Sequence, residues 1–309
     1  MASGVRVFGI CLASVALCFG AADAQKTFST PMAAVVSLIT SIENDDYTLY
    51  LSTVGPDMRA AWTTGDPVRD ALDRERLLAD IDRASLKPDP RDPNSMVLYL
   101  GARAETFPAP LVRSEDGWRF DGVTGSRELI NRLIRRNELA AVDLCQQYVD
   151  AQLAYSAMDH GPGAFGFARK IRATPGHQNG LYWSGKGGED HSPEGPLFAA
   201  AAYTELQPSG TPRPYFGYYF KILLRQGPDA IGGMLDYQVA GELARGFALI
   251  AWPAEYGVTG INSFLINHRG TLYERDLGPG TPRIAADMTV FNPDPGWTRA
   301  FSDGDGEEK

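Results

Sequence analysis

The sequence predicts an α+β protein of two small domains, the second a helix packed on a four-stranded antiparallel sheet. Three observations predict it. One internal stretch, Asn137–Met158, carries apolar side chains at a helical period along its length. Short runs with strand period follow helical patterns in both halves of the chain. Turn signals join those runs closely enough for antiparallel hairpins, the arrangement in which helices collect on one sheet face.

The chain opens with a segment that does not belong to the fold. Arg6 supplies a short positive region, Val7–Gly20 is apolar, and Ala22-Asp23-Ala24 matches the small-x-small pattern of a cleavage site. The apolar run is short for a bilayer span. Residues 1–24 therefore read as a secretory signal peptide, Gln25 as the mature N-terminus, and the periplasm or exterior as the destination. Leu17 is too large for the position before a lipidated cysteine, so Cys18 does not read as a lipid anchor. Two of the three cysteines, Cys11 and Cys18, leave with the signal, and an internal disulfide is impossible for Cys145 alone.

In the first domain, residues 25–125, Pro31–Glu43 reads as a helix capped by Thr30, with Ala34, Val35, Leu38, Ile39 and Ile42 in helical spacing. Asn44-Asp45-Asp46 breaks it, Tyr47–Val54 forms a short second helix, and Gly55-Pro56 ends that. Asp66–Ser85 reads as a charged amphipathic helix, and the proline-rich Lys87–Asn94 as a loop. Met96–Ala102, Pro108–Arg113 and Gly117–Phe120 read as strands, the last two joined by a turn at Glu115-Asp116-Gly117.

The second domain, residues 126–300, begins with a helix over Ser126–Arg136 and a bend or break at Arg135–Asn137. Asn137 then caps the central helix, with Glu138 in its first turn. Ala141, Val142, Cys145, Tyr148, Val149 and Ser156 share one face, with Leu153 and Tyr155 at its margins. Asp143, Gln147 and Asp150 lie opposite. Glu138 and Gln152 fall inside the apolar stripe, so each requires a hydrogen-bond partner. Gly161-Pro162-Gly163 ends the helix. Phe165–Ile171 reads as a helical turn, Thr174–Gly195 as an irregular loop, and Pro196–Glu205 as a short helix. Strands follow at Tyr215–Arg225, Gly246–Ala251, Ile261–Asn267 and Thr271–Asp276, the last two joined through Asn267-His268-Arg269-Gly270. Gln226–Gly241 is a loop excursion, and residues 301–309 form a charged, frayed tail.

Several motifs bear a family resemblance. GLYW at Gly180–Trp183, SPEGPL at Ser192–Leu197, QGPDAIGG at Gln226–Gly233, GFALIAWPAEYGVTG at Gly246–Gly260 and YERDLG at Tyr273–Gly278 resemble the bacterial exported family numbered 2950 among domains of unknown function. RRNEL at Arg135–Leu139 and YVDAQ at Tyr148–Gln152 fit it too, although Arg135 stands where a glycine is expected. The resemblance implies export and carries no assigned activity. The central helix followed by YYFKILL, GFALIAWPAEYGVTG and the FLINHRGTLYE hairpin also resembles, in shape, the globular part of type IV pilins and pseudopilins. In those proteins a very apolar N-terminal helix drives assembly, whereas the matching helix here is internal and has a polar face.

The formal charge of −9, with no basic run, argues against nucleic acid and anionic membrane surfaces as partners. No G-x-S-x-G, H-E-x-x-H, Walker or dinucleotide motif is present. Cys145, alone on an apolar helix face, reads as a small buried hydrophobe rather than a nucleophile. His177, Glu189, Asp190, His191 and Glu194 are ligand-like residue types, but their spacing matches no helix or hairpin site and they read as a solvated loop. Glu255-Tyr256 and Asp236-Tyr237 suit acid–base chemistry only if buried together. Tyr182 and Trp183, Tyr215, Phe216, Tyr218 and Tyr219, and Trp252 and Tyr256 are aromatic groups suited to lining a groove or filling a core. The sequence therefore assigns no catalytic, cofactor-binding or metal-binding residue. It predicts a cofactor-free exported protein, without a membrane span once the signal is cleaved, that acts by binding another envelope component. The alternatives are a hydrolase-type enzyme using loop carboxylates and a small-ligand binding module.

Overall fold

The computed structural model describes residues 25–62, 67–81, 83–101, 105–158, 166–183, 192–193 and 214–300. The expected signal peptide at residues 1–24, Gly161-Pro162-Gly163, the expected helix at Pro196–Glu205 and the expected tail at 301–309 lie outside the described residues. The chain divides into two compact units, Met1–Glu128 and Leu129–Lys309.

In the first unit, helix α1 spans Pro31–Glu43 and α2 spans Tyr47–Val54. The Thr30 side chain accepts from Ala33 N–H at 3.1 Å and Asp46 from Leu49 N–H at 2.9 Å, each satisfying a donor that a helix start leaves free. A 3-10 turn at Pro56–Met58 leads to α3, Arg59–Trp62, and then to α4, Pro67–Ile81. Five strands follow: β1 Ser85–Asp89, β2 Asp92–Leu100, β3 Glu105–Thr106, β4 Leu111–Ser114 and β5 Gly117–Phe120. They pair in the order β1-β2-β4-β5, with β3 also on β2. The buried side of α1 (Ala34, Val35, Leu38, Ile42) shares the interior with Tyr50, Val54, Met58, Leu98, Leu111 and the edge-on pair Phe107–Phe120 at 5.5 Å.

Two expectations fail here. The fourth helix stops at Ile81, and Ser85 already belongs to a strand. The stretch Lys87–Asn94 is a hairpin and not a loop. Its prolines take the few places a sheet allows: Pro88 lies on edge strand β1 beside a shift in register, Pro90 is in the turn, and Pro93 is near the start of β2. Asp89 closes the turn, accepting from Arg91 N–H at 2.9 Å and from its guanidinium at 3.1 Å.

Helix α5 runs unbroken from Gly122 to Ser156, 35 residues. Its cap is Asp121, which accepts from Thr124 N–H at 3.1 Å and Thr124 Oγ1 at 2.8 Å. The expected break at Arg135–Asn137 is absent, and Asn137 and Glu138 are interior helix residues, not a cap and a first-turn acid. Their polar groups are spent elsewhere in the second unit, as described below. The buried stripe contains Ala141, Cys145, Tyr148, Val149 and Tyr155 as expected, and also Leu144 and Ala151. Ser156 and Leu153 are exposed. Gln152 is fully buried and satisfied: its carbonyl accepts from Ala168 N–H at 2.8 Å, and its amide donates to Ala168 O at 2.8 Å and to Tyr148 Oη at 3.0 Å.

The second unit contains β6 Tyr218–Leu223, β7 Arg225–Gln226, β8 Leu235–Asp236, β9 Gln238–Val239, β10 Glu242–Leu243, β11 Ala248–Pro253, β12 Asn262–Asn267, β13 Leu272–Asp276, helix α6 Thr281–Asp287 and β14 Thr298–Arg299. The main sheet is antiparallel, in the order β14-β13-β12-β11-β6, so the four-strand meander gains a short fifth strand. The excursion from Gln226 is not plain loop, because it contains two ribbons, β7–β8 and β9–β10. Residues 166–171 are not helical either: Phe167 N–H donates to Leu243 O at 2.7 Å and makes a bridge.

Every residue of β11 is buried, because both sheet faces are covered. On one face Tyr218 lies near Cys145, and Phe247 meets Tyr148 edge-on at 5.5 Å, which places α5 there. On the other face Lys221 donates to Ala285 O at 3.1 Å and to Ala286 O, closing the C-terminus of α6. Burial lowers the pKa of that ammonium, and the carbonyl pair compensates the charge it keeps.

Candidate functional site

In the second unit the turn between β11 and β12, Ala254–Ile261, is densely hydrogen-bonded. Within it, Thr259 N–H donates to Glu255 O at 2.9 Å, Glu255 N–H to Thr259 Oγ1 at 3.0 Å, and Gly257 N–H to Gly260 O at 2.9 Å. Helix α5 then grips it. Asn137 Nδ2 donates to Thr259 O at 2.9 Å, and Glu138 Oε1 accepts from Ile261 N–H and Asn262 N–H, each at 2.9 Å. The RNEL and AEYGVTG motifs are therefore two halves of one structure. Tyr218, wholly buried, donates its hydroxyl to Asn262 O at 2.8 Å, and burial pushes its phenol pKa far up.

A second turn abuts the first. Tyr215 and Tyr218 exchange backbone hydrogen bonds at 2.9 and 3.0 Å around Phe216 and Gly217, whose φ values are +46° and +72°. Two consecutive left-handed residues make a type I′ turn, which ordinarily selects Asn-Gly. Gly217 is required twice over: a Cβ there would stand 2.7 Å from both Asn137 Nδ2 and Thr259 Cβ. Ala254 N–H donates to Gly217 O at 2.8 Å and ties the two turns together. Phe216 is a different matter. A bulky side chain is costly at positive φ, and here it stays 45% exposed, with its ring 4.6 Å from that of Tyr215. Leu139, Val258 and Ile261, each adjacent in sequence to a residue of this network, are exposed as well. Phe216, Leu139, Val258 and Ile261 are thus the exposed apolar residues that border this hydrogen-bonded base in the chain, and together are called its rim.

The residues singled out from the sequence fall elsewhere. Cys145 is fully buried, and desolvation raises its thiol pKa well above the ordinary value, the opposite of an activated nucleophile. His177 is exposed, its backbone N–H bonded to Thr174 O at 2.9 Å, while Glu189, Asp190, His191 and Glu194 lie outside the described residues. Among the described residues no three His, Cys, Asp or Glu side chains gather as metal ligands would. Glu255 and Asp236 are both exposed, and they flank opposite ends of β11. Asp236 is occupied by Gln238 N–H at 2.9 Å, and the buried Tyr237 donates to Gln226 Oε1 at 2.8 Å. They do not form a shared buried acid–base site. Trp252 and Tyr218 are core, and Tyr182, Trp183, Tyr215 and Tyr219 are half-buried against it, so they do not line an open groove. Sequence reading grouped Phe216 with these and missed its separate position. The available signal was the Phe-Gly pair between two aromatic residues, the spacing of a two-residue turn.

Among the described residues no helix is long and apolar enough to cross a membrane. Searches of curated proteins and of solved structures returned no match. A protein-family model does match, over residues 25–300, from the expected mature start through the main sheet's last strand. The chain therefore belongs to the family described as protein of unknown function DUF2950.

Proposed function

We propose that this is an exported protein, mature from Gln25, that works without catalysis by binding another protein of the envelope through the rim around Phe216. The observation that supports this reading is Phe216 itself. An aromatic side chain at φ +46° is strained, and its exposure means that burial does not compensate the strain. Strain of this kind accumulates where a side chain is held out for use. The flanking apolar residues and the fixed base reduce what ordering would cost on binding. Export is supported by the apolar run and Ala22-Asp23-Ala24 ahead of Gln25. The pilin-like resemblance rests on the sequence alone, and α5 carries Asp143, Gln147 and Asp150 on its exposed side. Filament assembly through that helix is not part of the proposal.

The test has two arms. N-terminal sequencing of the protein recovered from the envelope fraction should begin at or near Gln25; an intact Met1 would refute export with cleavage. A photo-crosslinking phenylalanine analogue placed at position 216 in the native envelope should give one discrete adduct, and the same analogue at Asp150 should not. Equal yields at both positions would refute the binding surface.

A further inference from the structure

We propose that His268 is an acid-sensitive latch: protonation of its imidazole releases the segment 226–246 from the sheet while β11, β12 and β13 stay paired. The proposal stands independently of export and of the Phe216 surface.

His268 occupies the turn between β12 and β13, with its backbone N–H on Phe247 O at 3.0 Å. Its Nδ1 is buried and has no hydrogen-bond partner among the described residues. The residue as a whole is half-buried, and it is the Nδ1 edge of the ring that its neighbours cover. Tyr237 meets it edge-on at 5.6 Å, Phe247 at 6.2 Å, and a Cβ at Gly246 would stand 2.7 Å from Nδ1. From the 226–246 segment, then, the group that faces it is an uncharged phenol. From the lead-in to β11 it is a glycine and a phenylalanine. From its own turn it is Arg269, a cation.

This enclosure suits a neutral imidazole and not its acid. An imidazolium carries N–H on both nitrogens; the carbonyl that favours it, Phe247 O, already accepts from His268 N–H, and the new charge would lie near that of Arg269. The folded-state pKa is accordingly lowered, first by burial and then by Arg269, with the Phe247 carbonyl working weakly the other way. A base whose folded pKa is depressed contributes stability that is complete above its unfolded value of about 6.5 and is lost as pH falls through that value toward the folded one.

Tyr237 carries the effect into the segment. Its N–H donates to Leu224 O at 3.1 Å, and its carbonyl accepts from Ala244 N–H at 3.0 Å and Arg245 N–H at 3.1 Å. Its hydroxyl orients the buried Gln226, whose amide donates to Ile231 O at 3.2 Å and Gly233 O at 2.7 Å. The loop that presents the exposed Ile231 and Met234 is thus held on one side by a ring that rests against His268, and on the other by Gly227 N–H on Phe291 O at 2.9 Å and Asp229 N–H on Asn292 Oδ1 at 2.9 Å. Strands β11 and β12 pair with each other along their own register, from Ala248 opposite Asn267 to Ala251 opposite Phe264, and it is the side chain of Asn267, at the end of β12, that reaches Tyr237.

Native-state hydrogen exchange on the whole protein tests the proposal. Opening constants, corrected for intrinsic exchange, are compared at pH 7.5 and pH 5.5 for the amides of Tyr237, Ala244 and Arg245. They should rise at least about threefold on acidification, with a ceiling of about tenfold because pH 5.5 lies about one unit below the unfolded value. The amides of Leu249 and Leu265 should not follow. His268→Gln, neutral at every pH, should abolish the rise. A rise that persists in His268→Gln, or one shared equally by β11 and β12, overturns the proposal. Should that variant not fold, NMR titration of His268 in the native protein decides: a pKa at or above 6.5 overturns the proposal, and a lower one coupled to shifts at Tyr237 upholds it.

Discussion

Replacing Gln152 with leucine tests whether the buried amide of α5 does what its geometry indicates. Gln152 pairs with both backbone groups of Ala168, accepting at 2.8 Å and donating at 2.8 Å, as a strand residue would. Both residues are buried, at 0% and 1% exposure, so water does not replace a lost partner. Gln152→Leu leaves the volume nearly unchanged and orphans one donor and one acceptor. Each costs about 1–3 kcal/mol. Burying an apolar side chain in place of an amide returns about 1–2 kcal/mol. The net expectation is a loss of about 1–4 kcal/mol, read as a lower urea midpoint at unchanged m-value. Exchange at the Ala168 amide should accelerate in parallel. Gln152→Glu sharpens the test. Ionised, it still accepts from Ala168 N–H but turns a second acceptor toward Ala168 O. Its carboxyl pKa is therefore expected to rise on folding, so its stability is greatest below an unfolded value of about 4.3 and falls as pH climbs through the folded one. Asp150→Ala, two residues away on the exposed side, should change stability by no more than about 0.5 kcal/mol. A Gln152→Leu protein within that same margin of wild type would refute the argument.

Three further outcomes are expected. Phe216→Asn and Phe216→Ala both delete the ring, but only asparagine tolerates positive φ, so the asparagine variant should melt higher by about 1 kcal/mol equivalent, and both should lose partner capture. Gly260→Ala should destabilise by about 1–3 kcal/mol in thermal unfolding, since its Cβ would press on the Tyr218 hydroxyl and stand 2.6 Å from Cζ; a variant as stable as wild type would show that the turn can shift. Cys145 should react with a thiol reagent only once denaturant is present, and rapid labelling of the native protein would contradict its burial.

Periodicity, caps and turn residues are local, and what they encode was legible in the chain. Helix α1 with its Thr30 cap, helix α2, the Glu115-Asp116-Gly117 and Asn267–Gly270 hairpins, and the α5 stripe through Cys145 and Tyr148 all follow from neighbours within a few positions. So did the requirement that Gln152 and Glu138 find partners, because burying a polar group is costly wherever it occurs. Who those partners are was not legible. Asn137 reads as a cap until Thr259, 122 residues away, is brought to its amide, after which the helix has no reason to stop there. The Lys87–Asn94 prolines read as a loop until an edge and a turn are supplied to accept them. Phe216 reads as one more aromatic core residue until two turns lock Gly217 between Asn137 and Thr259 and leave the ring outside. In each case the deciding contact joins residues far apart in sequence, and a local pattern carries no information about which distant surface will meet it. The local helices, the hairpin turns and the core stripe of α5 were therefore determined by the sequence itself, whereas the continuity of α5, its joint with the β11–β12 turn, the exposure of Phe216 and the covered Nδ1 of His268 were decided only by the tertiary fold.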